Sequence, residues 1–199
     1  MKRIITTLAT LVCALSLVAQ TTVVEAPQTD ALYRLPMENG VKITALSLAP
    51  IDLGVAMHRN LRDFCAWELL ATKATDVVAP REGVVEDATD SSVLILHPDG
   101  IYTHLQSMAS VCVKAGDKVE KGDTVGCARK TKSGKWSLCM SVFHLKNNPT
   151  YGEVSPSGNY PHLRQFINPI FSTRGKCKVQ LSDGGSYTVK ARTWCWPWE

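Results

Sequence analysis

The sequence predicts a mainly β fold, an antiparallel sheet folded on itself in the manner of a barrel-sandwich, with a β-hairpin added at the C-terminus. Three observations predict it. Between Ala66 and Met140 the chain is a succession of short runs rich in Val, Ile, Leu and Thr, cut by Gly, Pro and Asp. Gly116-Asp117 and Gly122-Asp123 each stand beside a valine-bearing run, and glycine supplies the positive φ that tight connections need. Near the end of the chain, Lys178-Val179-Gln180-Leu181 and Ser186-Tyr187-Thr188-Val189-Lys190 flank the turn signal Asp183-Gly184-Gly185.

Taken in order, the first twenty residues read as a secretory signal peptide. Lys2 and Arg3 precede the apolar run Ile4 to Ala19, and Ser16 to Gln20 is the cleavage region. A lipid anchor on Cys13 is the rival reading, disfavoured because Thr10-Leu11-Val12 is bulkier than lipoprotein processing accepts. Residues 21–52 form an N-terminal lead-in. Thr21 to Asp30 is polar and expected to be flexible, and Ala31 to Asp52 holds one or two strands broken by Pro36, Asn39-Gly40 and Pro50. The main domain is expected over 53–175. It opens with a loop through His58 and Arg59, then a candidate strand from Phe64 to Leu70. Val77 to Val85 turns at a Pro-x-x-Gly corner, and Val93 to Leu96 is an apolar run ended by His97-Pro98-Asp99-Gly100, where His97 is expected to be structural. Ile101 to Leu105 resumes the strand. Lys146 to Pro161 has no hydrophobic period and reads as an exposed loop, and Pro161 to Phe171 as a short helix before Asn168-Pro169. Residues 176–199 carry the hairpin and a Trp-rich tail. Trp194, Trp196 and Trp198 read as a packed strand edge, with a ligand-stacking surface as the alternative.

With 199 residues, 45% of them hydrophobic, the chain suits one domain with a sizeable core. The formal charge of +4 falls to about +2 once Lys2 and Arg3 are cleaved, which is no nucleic-acid footprint. Nothing after the leader approaches the ~18 apolar residues of a transmembrane helix. Arg129, Lys130, Lys132 and Lys135 cluster in a loop that reads as solvated, or as a holder of an anionic glycan or carboxylate. Cleavage leaves six cysteines, an even count that suggests disulfides in an exported chain. Cys177 with Cys195 and Cys112 with Cys127 are the expected pairs. Cys65 and Cys139 then remain as a third pair or as free thiols.

The central stretch resembles the lysostaphin-type (LytM-like) zinc metallopeptidases, which cut peptide cross-bridges in bacterial cell walls. Many of these carry a stretch near Y-A-I-D-F, a short gap, then G-T-P-V-x-A-A-R-x-G-V-V. Here C-A-W-E-L runs without a gap into L-A-T-K-A-T-D-V-V-A-P-R-E-G-V-V. The Y-x-H-L strand is matched by Tyr102-Thr103-His104-Leu105, and the V-x-x-G-x-x-V-x-x-G-x-x-I-G segment by Val113 to Gly126. The closing H-L-H-F-x-V is matched by Ser137-Leu138-Cys139-Met140-Ser141-Val142. Order and spacing carry the resemblance, over roughly half of the chain.

The family's reaction uses zinc with an open position, held by two His and one Asp, to polarise the scissile carbonyl and to lower the pKa of bound water. Two further His act as base and as stabiliser of the developing oxyanion. Carried over one position at a time, the Asp ligand is Glu68, the second His of H-L-H is Cys139, and the first is Ser137, a vestigial position that has lost its imidazole. The first His ligand has no clean counterpart, and His58 is the nearest residue. Only His104, of Y-x-H-L, is plainly retained. The resemblance thus implies a peptidase-fold protein acting at the cell wall, exported to the periplasm or beyond, that binds a peptidoglycan peptide or an envelope protein without cutting and without zinc. The alternative is an active endopeptidase with zinc on His58, Glu68 and Cys139 and His104 as base. A third reading is a barrel-sandwich adaptor or carrier. The segment from Glu86 to Cys112 contains no Lys, which a lipoyl carrier requires, and no heptad run supplies an adaptor's helical hairpin.

Overall fold

The computed structural model describes residues 28–48, 65–145, 164–173 and 176–190. Every regular element among them is a strand. In chain order these are β1 (Gln28–Arg34), β2 (Lys42–Ser47), β3 (Ala66–Ala71), β4 (Asp76–Val78), β5 (Gly83–Ala88), β6 (Ser92–Leu96), β7 (Tyr102–Gln106), β8 (Met108–Val111), β9 (Lys118–Val119), β10 (Thr124–Lys130), β11 (Trp136–Leu145), β12 (Arg164–Phe166), β13 (Asn168–Thr173), β14 (Lys176–Val179) and β15 (Gly185–Thr188). The mainly β, antiparallel expectation is borne out. The large sheet runs β15-β2-β3-β11-β7-β6-β5-β9, with β12 continuing the edge of β11, and β10 joining β11 to β4 and β8. A second, three-stranded sheet is β1-β13-β14, with β1 and β13 parallel.

Three expectations fail locally. The C-terminal strands form on either side of the expected turn, but they do not pair as a hairpin. β14 pairs with β13 and β15 with β2, and Gly184 N–H donates to the Ala45 carbonyl at 2.8 Å, so the turn crosses from one sheet to the other. The helix expected before Asn168 is instead strand: β12 adds to β11 and β13 follows at once, because β-sheet partners were available to an ambiguous apolar run. β1 begins at Gln28, inside the stretch expected to be a flexible lead-in.

The core lies between the two sheets and is built by alternation. On β11, Leu138, Met140 and Val142 are buried against Leu69 and Ala71 of β3, Leu105 of β7, Val93 and Ile95 of β6, and Tyr33 and Phe171 of the smaller sheet. Each such side chain contributes about 1.5–3 kcal/mol by leaving water. Two tight passages depend on backbone freedom. Gly126 packs so closely on β8 that an added Cβ would collide with the Ser110 carbonyl oxygen and the Met108 methyl. Ser107 adopts φ 62°, the left-handed turn by which the chain leaves β7 for β8.

One polar network runs from this core out to the exposed Asp99. Arg81 Nη1 donates to the Tyr33 hydroxyl at 3.1 Å and to Asp99 at 2.8 Å, and its guanidinium stands 5.0 Å from the Tyr33 ring centroid. His97 Nδ1 lies 2.7 Å from the Glu82 carbonyl and Nε2 lies 2.7 Å from Thr103 Oγ1. A carbonyl only accepts, so Nδ1 carries the proton and Nε2 accepts from the threonine. Burial pushes the His97 pKa down to about 4. The structural role expected for His97 is what its hydrogen bonds give it.

Candidate functional site

The same alternation that makes one face of β11 the core turns Ser137, Cys139, Ser141 and Phe143 to the other face. Register then assembles that face in rows across the sheet. The first row is Thr44, Leu70, Ser137 and Arg129. The second is Leu46, Glu68, Cys139, Gln106 and Ser92. The third runs Ala66, Ser141, His104 and Leu94. A small aromatic cluster closes the far end, with Phe143 stacked on Tyr102 at 5.6 Å and tilted on Phe166 at 6.0 Å.

Four of the five residues singled out in the sequence therefore share one face of one sheet. Glu68 stands directly across from Cys139, and Ser137 donates from Oγ to Glu68 Oε1 at 2.6 Å. His104 is paired with Ser141, one row beyond Cys139, a diagonal of about 7–8 Å between backbones. Its Nδ1 is shut away from solvent and has no hydrogen-bond partner. Burial, and then the charge of Arg164, push its pKa down to about 3. Arg164 reaches this region from β12, with its guanidinium 4.5 Å from the Phe143 ring centroid. The fifth candidate, His58, lies outside the described residues.

As a metal site the described residues fall short. Glu68 and Cys139 supply two donors, the carboxylate already accepts from Ser137, and no three His, Cys, Asp or Glu among the described residues stand close enough to hold an ion. The face holds buried hydroxyls and a buried imidazole nitrogen, and it presents Thr44, Glu68 and Gln106, part-exposed, between Leu46 and Leu70.

The expected cysteine pairing is corrected where it falls on described residues. Cys127, on β10, and Cys112, just after β8, are exposed free thiols. Cys112 N–H bonds the Val125 carbonyl while Cys127 stands opposite Ser110, so the two are out of direct opposition. Each sulfur has its own partner, the Thr124 carbonyl at 3.4 Å and Asp76 Oδ1 at 3.5 Å respectively. Cys65 is a free thiol that burial pushes up to about 11, so it is not bridged to Cys139. Cys195 and the Trp tail lie outside the described residues.

Sequence reasoning missed Ser141, Gln106 and Arg164. Counting by twos from Cys139 and His104 finds the first two, since side chains on a strand share a face at every second position. Arg164 meets His104 only through long-range pairing, which leaves no local signal.

Residues 66–151 match Peptidase family M23. That stretch includes β3 to β11 and the part of the polar face that these strands carry. No curated protein matches the chain. Among solved structures, the chain is similar to one in the SpoIIQ–SpoIIIAH pore-forming complex, at 20% identity over 58% of this chain and 85% of that one, with a TM-score of 0.43. It is also similar to pseudoalterin, an M23 metalloprotease from the deep sea, at 12% identity over 81% and 100% of the two chains and a TM-score of 0.44. A third is the catalytic domain of the prophage-encoded M23 protein EnpA from Enterococcus faecalis, at 18% identity over 67% and 95%, with a TM-score of 0.37. No helix among the described residues is long and apolar enough to cross a membrane.

Proposed function

We propose that this chain is an exported, non-cutting relative of the M23 zinc endopeptidases, which holds a peptidoglycan stem peptide or an envelope protein along the polar face of its large sheet. The observation that carries the reading is the 2.6 Å hydrogen bond from Ser137 to Glu68. The family's chemistry needs a carboxylate open to a metal and an imidazole open to the substrate. Here the residues at those two positions satisfy each other. Rows of Thr44, Glu68 and Gln106 between Leu46 and Leu70, all part-exposed, offer hydrogen bonds and apolar contacts at the strand repeat, which suits an extended peptide.

The test uses the mature chain and purified cell-wall sacculi. The expected result is cosedimentation without release of new peptide ends, together with well under one zinc per chain under reducing conditions. Peptide release that stops on chelation, with zinc near one per chain, overturns the proposal. It would establish instead the divergent site of His58, Glu68 and Cys139 with His104 as base.

A further inference from the structure

One end of the large sheet gathers exposed lysines from the ends of β2 and β10 and from the segments flanking β3, β11 and β15. The row Tyr187, Ile43, Ala71, Trp136 and Lys130 crosses β15, β2, β3, β11 and β10 near their ends. Just beyond it stand Lys42 at the start of β2, Lys73 after β3, Lys135 before β11 and Lys190 after β15, and Lys132 sits in the β10–β11 turn. All six lysines are exposed. None of them is in an ion pair among the described residues, where Arg81–Asp99 is the one that forms. The carboxylates of Glu38 and Asp76 line two concavities beside this end of the sheet, one with Trp136 and one with Lys73. Six lysines against these two acids leave the rim locally positive. The six lysines thus form a strip about 2 nm long at the ~4.8 Å spacing of strands.

We propose that this lysine rim binds a linear, phosphate-bearing polyanion. Its shape favours a thread over a plane, since the lysines straddle the end of the sheet. Its composition favours a polymer without bases or acyl chains. Among the described residues the exposed large hydrophobic side chain is Val84, on β5, so no fully exposed apolar side chain stands at the rim to insert into a bilayer, and its aromatics Trp136 and Tyr187 are only partly exposed. Trp136 is half-buried, with the Lys130 ammonium 5.2 Å from its ring centroid. The inference needs only these charges and is independent of what the polar face holds.

Long-chain inorganic polyphosphate is the probe, with affinity measured on the mature chain across a salt series. Affinity should fall steeply with salt, as counterion release requires. The triple variant Lys42→Gln, Lys130→Gln, Lys135→Gln should lose about tenfold or more and lower the log–log salt slope by about two to three. Lys114→Gln, Lys118→Gln, Lys178→Gln removes the same charge elsewhere and should change affinity less than about twofold. Equal losses in the two triples would mean net charge alone is responsible and overturn the proposal. Tighter binding to phosphatidylglycerol vesicles or to single-stranded DNA than to polyphosphate, or no binding at physiological salt, overturns it as well. Unchanged melting of both triples confirms that the fold is intact.

Discussion

The two faces of β11 have been held to different standards. Leu138, Met140 and Val142 look into a packed interior that admits little but aliphatic side chains of about their size. Ser137, Cys139 and Ser141, interleaved with them on the same backbone, look onto a face that carries two hydroxyls and a thiol. The backbone pairing is common to both faces, so the sheet survives whatever the polar face carries. The residues of the polar face can therefore change without loss of the fold.

The contrast breaks first on the core side. Leu138→Ala should cost about 2–5 kcal/mol in urea unfolding, while Cys139→Ala, one residue on, should cost clearly less. Equal costs would mean the faces are not separable in energy.

The two histidines on adjoining structure sharpen the same contrast through pH. His97 has both ring nitrogens bonded within the core, and its folded pKa of about 4 lies below the ordinary 6.5. The unfolded chain therefore takes up its proton first. Stability is intact above pH 6.5, declines as pH falls through that value, and stops declining on this account below about 4. The full loss is about 3 kcal/mol. Arg81 opposes protonation and Asp99 and Glu82 favour it, but burial outweighs them. His104 is depressed in the same direction, to about 3, and adds to the same window. Urea midpoints measured from pH 7 to 4 should fall, and His97→Gln should flatten the fall. A variant that keeps the full slope would assign it to His104 and the polar face.

How much of this was legible follows from the range of each interaction. The strands from β3 to β11 were readable because apolar alternation and Gly-Asp turns are local. The candidate face was readable in part because Glu68, His104, Ser137 and Cys139 fall on positions of a known pattern, and strand parity does the rest. The C-terminal hairpin failed because Asp183-Gly184-Gly185 specifies a reversal, not which strand the returning chain will meet; Ala45 and Thr44 of β2 decided that. The helix before Asn168 failed because a short apolar run fits either period, and β11 had an open edge beyond Ala66 for Arg164 to Phe166 to join. The Cys112–Cys127 pairing failed on register, which spacing alone does not reveal.

The smallest effect is the most pointed. Ser137→Ala removes one hydroxyl from the polar face and leaves the Glu68 carboxylate without its donor. Glu68 is only half-buried, so water can take the serine's place and the cost should be about 1 kcal/mol, against several for Leu138→Ala next to it. Glu68→Gln keeps an acceptor for the hydroxyl and should cost no more than that. Both are read by the shift of the urea midpoint at constant slope. If Ser137→Ala costs as much as Leu138→Ala, the serine–glutamate pair is a keystone of the sheet, and the polar face was conserved by folding rather than released from catalysis. If the cost is small, the pair is what a surface keeps once chemistry no longer dictates its residues, and the face is free to serve a ligand.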